Sequence, residues 1–152
     1  GPYMMTGKSI LTRSSVLAQV ESTGAINRAD LKIAAIANST SATFAQENTP
    51  EAELTTTATS DEAVALLIAG KVDAVLADMA VCKLAVLRNP ESGLVTLKKP
   101  LTMEPVGIAI KADDRQLQNL IDNFMDAFGK TGVLGQLRKK WFENGDWVAA
   151  LP

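Results

Sequence analysis

Lys71-Val72-Asp73-Ala74-Val75-Leu76-Ala77-Asp78 is a nearly unbroken apolar run that closes on a carboxylate, the pattern of a β-strand covered on both faces. Just upstream, Ala63, Leu66, Leu67 and Ala69 recur at helical spacing, and Gly70 stops that helix, as a C-terminal glycine does. The order is helix, tight turn, central strand, with Asp78 presented at the strand's carboxyl end. In open α/β sheets, ligands sit in the crevice outside that end of the strands. Asp78 is thereby the first candidate binding residue.

Working outward, residues 31–37 (Leu-Lys-Ile-Ala-Ala-Ile-Ala) read as a second interior strand, followed at once by Asn38-Ser39-Thr40-Ser41 and a helix over 42–48. Small hydrogen-bonding residues between a strand and a helix start can cap the first turn. They can also line an anion site, because the same N–H groups and the helix dipole favour a carboxylate or phosphate. There is no Walker lysine and no glycine-rich run, so a nucleotide cradle is not expected. Residues 53–58 form a threonine-rich strand, and Thr59-Ser60-Asp61-Glu62 starts the helix that leads to Gly70. Closer to the amino end, the pattern predicts a strand over 9–13 and a brief helix around Val16, Leu17 and Val20 ended by Gly24. A one-turn helix over 27–31 capped by Asn27 follows. Beyond Asp78 come a helix over 79–87, a strand over 94–97, a crossing segment over 100–105 and a strand over 106–110.

The remainder reads as helix. Leu117, Leu120, Ile121, Phe124, Met125 and Phe128 form one amphipathic stripe, Gly129 and Gly132 break it, and Leu134, Leu137 and Trp141 continue a shorter helix. Arg138-Lys139-Lys140 reads as a solvated face near a helix end. Strand–helix alternation of this kind specifies an α/β fold, a parallel or mixed sheet with helices on both faces.

The composition fits. At 152 residues, 47% hydrophobic and 21% charged, the chain can build one good core and is not disordered. A net charge of −2 gives no nucleic-acid or anionic-membrane footprint. The absence of histidine removes the commonest general base and zinc ligand, and no metal or cofactor is expected. Cys82 cannot form an internal disulfide and reads as a small core residue. No apolar run approaches the ~20 residues of a membrane helix. The chain opens on Gly1-Pro2-Tyr3, with neither an initiator methionine nor a secretory leader, and so reads as a processed or cut product.

Several stretches carry a family likeness. Gly1-Pro2-Tyr3 with Thr6-Gly7-Lys8-Ser9-Ile10-Leu11 resembles the "PY…G…L" hinge segment of the family 3 extracellular solute-binding proteins, the periplasmic amino-acid receptors of ABC importers. Residues 33–41 are similar to their "vGV..GST" strand and ligand loop, and residues 60–78 to their "s..eal.aL..GkvDAvl.D" motif. Residues 107–111 resemble the returning strand, and residues 132–142 the C-terminal "G.l..i.kkWf". The motifs fall in register along the whole chain.

The resemblance implies a type II periplasmic-binding-protein lobe, a three-layer α/β sandwich with a mixed, mostly parallel sheet. It implies a hinge segment over 1–8, lobe 2 over 9–103, and a return over 104–152 that completes lobe 1. Most of lobe 1 would be missing, with the arginine that holds the ligand carboxylate in the family. Carried over residue by residue, Ser39, Thr40 and Ser41 contact the carboxylate of an amino acid or similar small zwitterion, and Asp78 holds its α-ammonium as an unpaired carboxylate. Asn38 stands where the family commonly has glycine, a position that tolerates positive φ but adds a side chain. The implied partners are an ABC transporter permease and the missing lobe; the implied location is the periplasm.

Two other readings share the fold. Cyclohexadienyl dehydratases use an acid beside the same crevice, but Asp78 is followed by Met79, Ala80, Val81 and Cys82, with no second acid in that turn. A ligand-sensing ectodomain of a receptor or kinase is the other; the chain's stop at Leu151-Pro152 favours a free receptor. The stripe from Leu117 to Phe128, with Leu134, Leu137 and Trp141, must be buried somewhere. A homodimer through the C-terminal helices, or a swapped C-terminal segment, is expected.

Overall fold

The structure is a computed structural model that describes residues 2–144 and 146–148. Gly1, at the head of the expected hinge segment, and the terminal Leu151-Pro152 lie outside the described residues. In chain order the elements are β1 (Met4–Thr6), β2 (Lys8–Thr12), β3 (Lys32–Ile36), α1 (Thr40–Asn48), β4 (Glu53–Thr57), α2 (Ser60–Ile68), β5 (Ala74–Asp78), α3 (Met79–Arg88), β6 (Val95–Thr96), β7 (Glu104–Val106), α4 (Arg115–Lys130) and α5 (Val133–Phe142). The chain divides into two compact units, one spanning Thr6–Met103 and the other made of the flanking segments.

The Thr6–Met103 unit is built on a five-stranded sheet in the order β4-β3-β5-β2-β6. β3 runs parallel to β4 and β5, while β2 is antiparallel to β5 and β6. β2 alone therefore opposes the other four. Period-two alternation divides the side chains between two faces. Ala74 and Leu76 join Ile10, Ile33 and Ala45 on one side; Val75 and Ala77 join Leu11, Ala63, Leu67, Cys82 and Ala85 on the other. α1 covers the first face, and α2 and α3 the second. All four apolar residues of β5 are at most 5% exposed, and covering each larger one contributes roughly 1.5–3 kcal/mol. The doubly covered central strand read from residues 72–77 is this one.

Local signals fix the connections. Thr59 caps α2 by accepting from Glu62 N at 3.2 Å, and the Glu62 carboxylate accepts from Ala58 N at 2.9 Å. At the far end Gly70 adopts φ +69°, with Gly70 N bonded to Leu67 O at 3.0 Å and Lys71 N to Leu66 O at 2.9 Å. That is a Schellman stop, and the left-handed residue it needs is glycine. Asp73 then secures the start of β5. Its N–H donates to Lys32 O at 2.8 Å, and its Oδ2 accepts from Lys32 N at 2.8 Å. Gly7 is required for a different reason: a Cβ there would lie 1.9 Å from Thr102 O.

Three expected elements differ. The strand predicted over 106–110 does not form beyond Val106; the strand found is β7, Glu104–Val106, which begins inside the expected crossing segment and pairs with β1. Three-residue strands carry too little periodicity to be read, and Pro105 argued against one. The Val16–Val20 helix is a 3₁₀ turn, Leu17–Gln19, and Gly24 lies inside a second such turn, Thr23–Ala25. Asn27 caps no helix; its Oδ1 accepts from Glu51 N at 2.8 Å, a contact across 24 positions that local pattern cannot show.

In the other unit, α4 is capped by Asp114, whose Oδ1 accepts from Leu117 N at 2.9 Å. α4 packs against α5, yet neither helix has a buried residue. Leu120 is 53% and Phe124 52% exposed. Arg138 is more than a solvated charge, since its guanidinium donates to Tyr3 O at 2.9 Å.

Candidate functional site

Four carboxyl strand ends point the same way, and two neighbouring ones carry the predicted residues. β3 ends at Ile36 and passes through Ala37 and Asn38 into α1, while β5 ends on Asp78 itself. Asn38 has φ +56° and is the one non-glycine residue in the left-handed region among the described residues. Its small polar side chain makes that conformation tolerable. The left-handed residue stands between the end of β3 and the Ser39 cap of α1.

The four loop residues do different work. Ser39 is the N-cap: its Oγ accepts from Ala42 N at 3.1 Å and donates to Ile36 O at 2.6 Å. That hydroxyl is spent on structure, the capping half of the dual reading. Ser41 is 7% exposed and belongs to the packed side. Asn38 and Thr40 are exposed. As the first helical residues, Thr40 and Ser41 hold N–H groups with no acceptor inside α1, a local concentration of positive potential.

Asp78 is placed beside this loop, but it is not the unpaired carboxylate expected. Lys8 Nζ lies 2.5 Å from Asp78 Oδ1 and donates at 2.8 Å to Thr40 Oγ1. Lys8 begins β2 directly opposite Asp78 in the antiparallel register, so backbone pairing delivers the cation to the carboxylate. The Lys8 side chain is 4% exposed and that of Asp78 43%. The ammonium thus lies beneath, and the carboxylate forms part of the surface. Among the described residues no hydrogen bond reaches Asp78 Oδ2. Asp78 also occupies the N-cap position of α3 without a side-chain capping bond, where a negative charge is favoured by the dipole.

Sequence reasoning used Lys8 as part of a motif and gave it no role. The available signal was a lysine opening a five-residue strand that is otherwise apolar or small, all of it buried. A buried ammonium needs a partner, and only the fold names that partner, 70 positions away.

A concavity of about 590 Å³ lies at the opposite end of the sheet, lined by Arg13, Leu31, Gly70, Val72 and Asp73 among others. Its charged groups hold one another or the backbone: Arg28 pairs with Asp30, and Arg13 donates to Ile68 O at 3.2 Å. Cys82 sits in the core at 1% exposure, where burial pushes its thiol up to about 12. It is no nucleophile. Among the described residues no cluster of three or more potential metal ligands occurs, and no helix is long and apolar enough to cross a membrane.

No family model matches the chain. The ABC transporter glutamine-binding protein GlnH of Bacillus subtilis (strain 168) is 29% identical over 143 residues, 93% of this chain and 50% of that protein. The solved structure of an ancestral cationic amino acid solute-binding protein, AncCDT-1, is 30% identical with a TM-score of 0.79, covering 93% of this chain and 60% of its own. A protein from Wolinella succinogenes DSM 1740, solved in complex with lysine, is 28% identical with a TM-score of 0.81, covering 97% and 64%. The relatives of this chain are amino-acid-binding solute-binding proteins of ABC transporters, and its sheet and flanking helices are those of the type II periplasmic-binding-protein fold. The chain spans between half and two thirds of the relatives' length.

Proposed function

We propose that this chain is the ligand-holding lobe of an amino-acid-binding solute-binding protein, which binds a small zwitterion and hands it unchanged to an ABC transporter permease. The observation that carries the reading is the adjacency of two opposite potentials at neighbouring strand ends. The exposed first turn of α1, with Asn38 and Thr40, suits a carboxylate; the outward oxygen of Asp78 suits an α-ammonium. Charge-assisted hydrogen bonds of this kind are the strong ones in a small polar site. The names of the relatives, a glutamine-binding protein and a cationic amino acid binder, support the same ligand class.

In this reading residues 1–8 are the hinge, 9–103 lobe 2, and 104–152 the return that completes lobe 1. A second lobe encloses the ligand from the other side, and the protein works in the periplasm. Binding without chemistry agrees with the absence of histidine and of a second acid in the turn after Asp78; prephenate incubated with the protein is expected to be recovered unconverted.

The test is a ¹H–¹⁵N titration of this chain with L-lysine, L-arginine and L-glutamine. Half an enclosure binds weakly, so millimolar, fast-exchange shifts are expected at Asn38–Ser41 and Asp78. No shift at these residues with any of the three amino acids would refute the reading. Micromolar affinity would show that the second lobe is dispensable.

A further inference from the structure

We propose that Lys8 is a positioning residue which sets the hydrogen-bond polarity of the site, and thereby its preference for a ligand carrying a free carboxylate. This rests on the proposed amino-acid-binding reading. The argument follows from what each group can donate and accept. A lysine ammonium has three donors and no acceptor. Thr40 Oγ1, at 2.8 Å, must accept from it, so the threonine's own O–H proton is turned away from Lys8. Thr40 is exposed and stands on the first turn of α1. Its hydroxyl is thus presented as a donor alongside the free N–H groups of that turn, a set that a carboxylate satisfies and a neutral carboxamide nitrogen does not.

The same ammonium takes Oδ1 of Asp78 at 2.5 Å. One carboxylate oxygen is turned inward and held, which aims the other outward as an acceptor for an ammonium. Lys8 is 3% exposed, so ligand and water cannot readily replace it between the two tips. The cation is also fixed along the chain. Its N–H donates to Thr102 Oγ1 at 2.8 Å, and its carbonyl accepts from Leu101 N at 2.6 Å. A charge buried this deeply, with its backbone anchored on one side and its head bridging two ligand-facing residues on the other, is a strut between the anion and cation halves of the site. It fixes Thr40 as a donor and orients the acceptor oxygen of Asp78, without touching the ligand itself.

The experiment compares L-lysine, L-arginine and L-glutamine with their α-carboxamides, by ¹H–¹⁵N titration at Thr40 and Asp78, in the unmodified chain and in Lys8→Met, Lys8→Gln and Lys8→Arg. The unmodified chain should favour the acids. Lys8→Gln replaces a pure donor with a group that can also accept, letting the Thr40 proton turn inward. In it and in Lys8→Met the acid-over-amide preference should fall about tenfold, the loss of one charge-assisted bond. Lys8→Arg, still a pure donor, should keep it. Dispersed spectra certify folding; should Lys8→Met fail to fold, Lys8→Gln and Lys8→Arg carry the comparison. An unchanged preference in Lys8→Gln, or an equal loss of affinity for acid and amide, overturns the inference while leaving the amino-acid-binding reading intact. Absence of any shift in the unmodified chain removes both.

Discussion

The two units of this chain handle apolar surface in opposite ways. In the Thr6–Met103 unit, β5 is covered on both faces, and its side chains interleave with α1 on one side and α2 and α3 on the other. In the flanking unit the strongest amphipathic helix of the chain, α4, has no buried residue at all, and Leu117, Leu120 and Phe124 remain 39–53% exposed. Both helices α2 and α4 are well capped, so local structure does not distinguish them. The difference is the sheet available to cover them, five strands in one unit and only the two-stranded β1–β7 pair in the other. A large exposed apolar face calls for a partner. On the proposed reading the partner is the rest of lobe 1; for the chain by itself we propose a second copy.

The contrast can be broken in four places. The largest effect should be kinetic. With its thiol pushed up from 9.0 to about 12 by burial, Cys82 should react with a thiol reagent at pH 8 roughly a thousandfold more slowly than an exposed cysteine, and normally only after denaturation. The sign for stability follows. A thiol held protonated in the fold stabilises fully below pH ~9, and that contribution is lost as pH rises toward 12, so urea midpoints should fall over that window. Rapid labelling of the folded chain would mean that the face under α2 and α3 is open.

Next, Leu76→Ala removes a side chain that is 1% exposed and should cost about 3 kcal/mol in urea unfolding. Gly70→Ala forces a side chain into φ +69° and should cost about 1 kcal/mol by the same measurement. Smallest in stability, but decisive for the contrast, is Phe124→Glu. At 52% exposure it should change unfolding of the monomer by less than ~0.5 kcal/mol, yet abolish the concentration-dependent rise in light-scattering mass that self-association through this stripe would give. An unmodified chain that is monomeric at every concentration would show that the stripe needs no copy of itself.

Much of the candidate site could be read early. Asp78 at a strand end, and the Asn38–Ser41 loop before a helix, are local patterns: an apolar run, a glycine stop, a cluster of capping residues. What could not be read was how those residues spend their hydrogen bonds. Ser39 uses its hydroxyl on Ala42 N and Ile36 O, while Thr40 and Asp78 both turn toward Lys8. The β1–β7 pair was invisible for a related reason, since three residues cannot show a period and their pairing joins Met4–Thr6 to the distant Glu104–Val106.

By itself, the sequence determined the strand–helix alternation, the doubly covered β5, the Schellman stop at Gly70 and the amphipathic stripe of α4. Each depends on neighbours within about a dozen positions, where side-chain spacing and capping chemistry act directly on the backbone. Only the tertiary structure decided that Asp78 is paired, that Lys8 joins it to Thr40, and that one apolar face is buried while another stands open. Those outcomes depend on antiparallel register and on which surfaces meet, and register carries residues 70 positions apart into contact with no trace in the intervening chain.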